Sequence, residues 1–142
     1  SDPPFLGGHW IPELIELAGG NHVLSGPSEA SRRSSWAEIS AADPDVIVFM
    51  PCGYTLPEAE TEARELLERD PIFANLRAVR QGRLWATDAT RLFSRCTPVS
   101  VRATEVLAGI FHGVYDFESE EALRIGFEDS PPRATKWDFV KP

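Results

Sequence analysis

Cys52 is the residue most able to do chemistry by itself. It stands in Pro51-Cys52-Gly53-Tyr54, directly after the apolar run Val46-Ile47-Val48-Phe49-Met50. A thiol at the carboxyl end of a strand, close to a following helix N-terminus, can have a lowered pKa and act as a nucleophile. A small α/β enzyme using Cys52 is therefore one reading of the chain. Such catalysis needs a base, and His9, His22 and His112 stand in no recognisable relation to the thiol. The competing reading is a small residue packed in a tight turn. Tyr54 combines a stacking ring with a hydrogen-bonding tip, and Arg95 is a cation suited to a ligand amide or phosphate. The two cysteines, Cys52 and Cys96, are too few for a disulfide framework. With no CxxC or Cys/His cluster, no metal site is expected. Both cysteines follow predicted strands, so their loops should share one sheet edge, where a single bridge forms only if the two Cα atoms come within roughly 7 Å.

Positioning these residues is the work of alternating strands and helices. Asp43-Pro44-Asp45 introduces the apolar run, which predicts a strand over Val46–Met50 buried on both faces of a parallel sheet. Pro51 and Gly53 then break it at the end where open α/β sheets bind ligands. Pro12 and the stop Gly19-Gly20 bound a first helix with Leu14, Ile15, Leu17 and Ala18 inward. Ser35-Trp36-Ala37-Glu38 has the spacing of a capping box, as does Thr55-Leu56-Pro57-Glu58. The helix after Thr55 turns Ala59, Ala63, Leu66 and Leu67 inward, and its glutamate face is solvated. Ile72–Leu76 reads as a short packing helix, Leu84–Thr87 as a second strand. The last helix carries Val101, Val106, Leu107, Ile110 and Phe111 inward. Short connections between strands and helices mean an α/β fold, a Rossmann-like three-layer lobe with a mainly parallel sheet. It occupies residues 1–115, and residues 116–142 form an acidic, Pro-containing tail packed on the body.

Composition excludes several classes. At 142 residues and 42% hydrophobic content the chain is one folded domain and not a disordered segment. A net charge of −8 argues against nucleic-acid partners. No apolar run approaches the roughly 20 residues of a membrane span. The opening Ser1-Asp2-Pro3-Pro4-Phe5, without an initiator Met, reads as a fragment or a processed product.

Three segments in order resemble one family: Gly8–Gly20; Ser35–Ile39 running into Asp43–Tyr54; and Leu92-Phe93-Ser94-Arg95 before the last helix. Together they look like the carboxyl-terminal lobe of the periplasmic substrate-binding proteins of cobalamin and iron–siderophore ABC importers. Met-Pro-Cys-Gly with an aromatic resembles the cobalamin branch. The resemblance implies a non-enzymatic protein of two α/β lobes, with the ligand held between them and passed to an ABC permease. It implies a periplasmic or extracytoplasmic, cell-surface-anchored location and a missing N-terminal lobe. Loops around Phe5–Trp10, Pro51–Tyr54 and Phe93–Arg95 are expected to converge as one wall of that cleft. The ligand-binding candidates are Phe5, His9, Trp10, Pro51, Cys52, Gly53, Tyr54, Phe93 and Arg95. A corrinoid suits aromatic stacking plus a few polar anchors, and His9 could ligate its cobalt. A siderophore or haem is the alternative metal-chelate ligand. No cofactor is expected beyond the ligand itself.

Family members often carry Glu directly after the Trp of the capping box, where it docks the lobe on the permease. Here that position is Ala37, which leaves Glu38 as the docking candidate. The family's Arg-Pro-Gly-Pro before the last helix is Arg95-Cys96-Thr97-Pro98 in this chain. An exposed aromatic wall would also favour a homodimer of the isolated lobe. A third reading is an interaction or regulatory domain that has lost its ligand.

Overall fold

Phe5–Leu6 forms a two-residue strand, β1, before Pro12 starts the first helix. The computed structural model describes residues 3–94, 100–114 and 121–126. Helix α1 spans Ile11–Leu17 and ends through Gly19 at φ +84°, with the Gly19 and Gly20 N–H groups turned back to the Glu16 and Ile15 carbonyls. Arg32–Arg33 is β2, paired antiparallel with β1 in the register Phe5↔Arg33. The second strand of that ribbon is two exposed arginines, so nothing local signals it.

Ser35 caps α2 (Trp36–Ala42) by accepting the Glu38 N–H at 3.1 Å. The expected reciprocal half of that box does not form, because the Glu38 carboxylate is held by Arg32 and Ser34. Asp43 ends α2 in the left-handed region at φ 46°. Arg77 grips the Asp43 carboxylate at 2.8 and 3.0 Å, its carbonyl at 2.9 Å and Asp45 at 2.8 Å. These bonds hold a backbone conformation that L-residues otherwise avoid.

The strand β3 follows as Ile47–Phe49, and α3 as Leu56–Arg69. At the start of α3 the Glu58 carboxylate reaches back to the Thr55 N–H at 2.8 Å and its hydroxyl at 2.7 Å, the contact expected from the sequence. Short helices α4 (Pro71–Ala74) and α5 (Arg77–Arg80) lead to β4, Leu84–Thr87. Then come α6 (Ala89–Leu92), α7 (Ser100–His112) and β5 (Ala122–Arg124). Strand order in the larger sheet is β3-β4-β5, parallel between the first two and antiparallel between the last two.

Alternation along the strands divides the interior into two cores. Phe49, Leu84, Ala86 and Ile125 face Trp36, Leu66 and Phe73 from α2–α4. Trp85 and Ala122, with the half-buried Val46, Val48 and Met50, face Leu14, Leu92, Val106 and Leu107. Helices therefore cover both faces of the sheet, the three-layer arrangement expected.

Several expectations are corrected. The strand is shorter than Val46–Met50, and as an edge strand it leaves Ile47 and Val48 half-buried. Residues 121–126 belong to the body, not to a tail laid over it. Ala122–Arg124 completes the sheet, Ile125 is 1% exposed, and buried Glu121 is held by Arg102 at 2.6 Å. Residues 127–142 lie outside the described residues. Leu17 is 76% and Val101 67% exposed. At 100° per residue, Leu17 points about 110° from the centre of the Ile11, Leu14, Ile15 and Ala18 stripe. Val101 points almost directly away from the Ala103, Val106, Leu107 and Ile110 face.

Candidate functional site

The carboxyl end of β3 runs into a turn closed by the Tyr54 N–H on the Pro51 carbonyl at 3.0 Å. Gly53 sits at φ +80°, a conformation that costs glycine nothing and strains any side chain. The turn is tied to the end of α6. The Gly53 N–H donates to Ser94 Oγ at 3.3 Å, Cys52 Sγ lies 3.9 Å from the same oxygen, and the Tyr54 carbonyl accepts the Thr90 N–H at 3.0 Å. Cys52 and Tyr54 are both exposed at this rim.

Trp10 reaches the same edge from the start of α1. Its Nε1–H donates to the Phe93 carbonyl at 3.2 Å, across 83 positions of sequence. His9 precedes it at φ 58°, exposed, its ring 6.0 Å from that of Trp10. Two bonds from backbone N–H groups hold this corner: Gly8 N–H to the Ser31 side-chain Oγ at 3.0 Å and His9 N–H to the Glu29 carbonyl at 2.6 Å. The structure thus gathers Trp10, Cys52, Gly53, Tyr54 and the Phe93–Ser94 backbone at one sheet edge, with His9 beside them.

Three other candidates stand differently. Phe93 is 4% exposed, its ring in the core that faces α1 and α7, so it offers the edge a carbonyl and not a ring. Phe5 is 59% exposed on the β1–β2 ribbon, with the Arg33 guanidinium 5.7 Å from its ring centre. Arg95 and Cys96 lie outside the described residues, as does any bridge from Cys52 to Cys96. Sequence reasoning passed over Ser94, the residue that joins the turn to α6. An isolated serine carries no local signal, and only the packing of α6 beside the turn selects it.

Among the described residues the side-chain hydrogen-bond partner of Cys52 is the Ser94 hydroxyl, and no histidine bonds to it. The rim has the elements of a recognition surface: an indole, a phenol, an imidazole and backbone polar groups on rigid supports. From Tyr54 an open groove of about 550 Å³ continues along the glutamate face of α3.

Glu38 lies apart from this rim. Arg32 binds both carboxylate oxygens, at 2.7 and 3.2 Å, and the Ser34 hydroxyl donates at 2.6 Å. The Arg32 hydrogen bonds, then that of Ser34, pull its pKa down to about 2. The acid is therefore ionised, half-buried at the surface and already paired. Among the described residues no helix is long and apolar enough to cross a membrane.

Residues 5–90 match the family described as periplasmic binding protein. No curated protein matches the chain. Among solved structures, an ABC transporter substrate-binding protein from Listeria monocytogenes EGD-e is similar at a TM-score of 0.61 and 21% identity, covering 75% of this chain and 40% of that one. A periplasmic binding protein from Veillonella parvula is similar at a TM-score of 0.57 and 24% identity, covering 72% of this chain and 36% of that one. At these identities the likeness is one of fold. The chain spans 40% or less of the length of either structure.

Proposed function

Because this chain belongs to the periplasmic binding protein family, we propose that it forms the carboxyl-terminal lobe of an extracytoplasmic solute-binding protein serving an ABC importer, and that its ligand is cobalamin or a related corrinoid. The observation that carries this reading is the rim at the carboxyl end of β3. There Trp10, His9 and Tyr54 stand on supports tied together by the Trp10–Phe93 and Gly53–Ser94 bonds. A large flat ligand gains most of its affinity from apolar burial against such rings and its orientation from a few polar groups. The second lobe supplies the opposite wall, and the pair delivers the ligand to a membrane permease without doing chemistry on it. Glu38 is the docking acid on this reading, with its Arg32 partner to be displaced or shared at the permease surface.

Calorimetric titration of cyanocobalamin into the full-length protein tests this, with the Tyr54→Ala variant alongside. Saturable heat in the intact protein and roughly tenfold weaker binding in the variant are expected, a loss typical of a buried aromatic anchor. No heat in the intact protein overturns the corrinoid assignment. A ferric siderophore or haem that binds in its place identifies the alternative. Unchanged affinity in Tyr54→Ala removes the rim from the site.

A further inference from the structure

The loop behind the rim is held closed by an unprotonated imidazole. His22 Nδ1 accepts two backbone N–H groups, from Ser25 at 3.1 Å and from Leu24 at 3.3 Å. A ring nitrogen can accept these only while it carries no proton. The Leu24 carbonyl in turn accepts from Arg32 at 3.3 Å, the residue that also holds Glu38. Further along, Ser28 donates its N–H and hydroxyl to Glu13 Oε1 at 3.0 and 3.2 Å, anchoring the loop on α1. Glu29 and Ser31 then accept the N–H groups of His9 and Gly8. The backbone that presents His9 and Trp10 thus rests on a loop whose first turn depends on the His22 acceptor.

We propose that His22 is a pH-sensitive latch: protonation of Nδ1 expels the Leu24 and Ser25 N–H groups, opens the 22–25 turn and loosens the Gly8–Trp10 support. A protonated ring would set an N–H against two N–H donors, so both bonds are lost together. The Ser25 hydroxyl, buried and without a hydrogen-bond partner among the described residues, lies in the same turn as an acceptor for the new donor. The charged groups facing the ring are Glu29, which favours the imidazolium, and Arg32, which opposes it; the Gly7 backbone also favours it. Burial outweighs these and holds the His22 pKa below the ordinary histidine value. The latch is therefore shut at neutral pH and opens on acidification. A consequence for ligand capture rests on the rim being the binding wall; the latch itself does not.

Amide hydrogen exchange on the full chain, followed by NMR without any ligand, reads the latch directly. Protection factors of the Leu24, Ser25 and His9 amides are compared at about pH 8 and about pH 4.5, below the ordinary histidine value. Loss of the two bonds predicts a fall of about tenfold in protection on acidification. His22→Asn, whose side-chain oxygen can accept but does not titrate, is expected to show no such fall. If that variant does not fold, the wild-type His22 ring nitrogen shifts must titrate with the same midpoint as the Leu24 and Ser25 amides. Equal protection at both pH values while the His22 ring nitrogen shifts show a protonated ring at the lower one, an undiminished fall in His22→Asn, or separate midpoints would each overturn the proposal. Cyanocobalamin binding plays no part in these readouts, so failure of the latch and failure of the corrinoid reading are distinguishable.

Discussion

Gly8 and Gly53 are both required near the rim, for different physical reasons, and replacing each by alanine separates them. A methyl on Gly8 would lie 2.3 Å from the Ser31 backbone nitrogen, 2.4 Å from the Ala30 carbonyl carbon and 2.5 Å from the Glu29 oxygen. All three are backbone atoms, so no side-chain rotation can relieve the clash, and the 29–31 segment must move. Overpacking of this kind costs about 2 kcal/mol, and losing the Gly8–Ser31 hydrogen bond adds about 1 kcal/mol. Gly53→Ala meets nothing within 4 Å and pays only for its positive φ, about 1 kcal/mol. For a domain of this size the melting temperature falls by about 3 °C per kcal/mol. Gly8→Ala should then melt about 9 °C below the wild type and Gly53→Ala about 3 °C below it. Thermal unfolding followed by far-ultraviolet circular dichroism measures both. A Gly8→Ala melting point equal to or above that of Gly53→Ala would refute the claim that close backbone approach holds this corner.

Arg32→Ala removes the main cause of the low Glu38 pKa, so the carboxyl should titrate nearer the ordinary carboxylate range, measured by side-chain carbon NMR. Its ionised form is favoured in the folded protein, so that stabilisation is complete above the ordinary glutamate value and is lost as pH falls toward about 2; in Arg32→Ala this acid-side loss should shrink. Leu66, fully buried between α3 and the sheet, should cost about 3 kcal/mol on truncation to alanine. Urea unfolding should show that loss, while exposed Leu17→Ala stays within about 0.5 kcal/mol of the wild type.

Much of the architecture was legible because its signals are local. Pro12 and Gly19-Gly20 bound α1, Asp70-Pro71 ends α3, and the Thr55–Glu58 contact forms as its spacing requires. The apolar runs around Val48 and Leu84–Thr87 became adjacent parallel strands. The choices between near-equivalent partners were not legible. Glu38 had the spacing of a capping residue, yet the guanidinium of Arg32 offered a stronger, charge-assisted partner than the Ser35 N–H. The segment from Glu121 to Gly126 had no pattern that distinguishes a strand from a surface tail, and its pairing with β4 was decided by the open edge of the sheet.

By itself, then, the sequence determined the bounds of α1 and α3, and that the apolar run stops in a turn at the carboxyl end of its strand. Those outcomes depend on residues within a turn of one another. Tertiary structure decided which side chains that edge presents. It left Tyr54 and Cys52 exposed at the rim, set Trp10 against the Phe93 carbonyl, withdrew the Phe93 ring into the core and brought in Ser94. Each of those outcomes depends on a neighbour some 40 to 80 residues away, brought close only by the packing of α1, α6 and α7 against one face of the sheet.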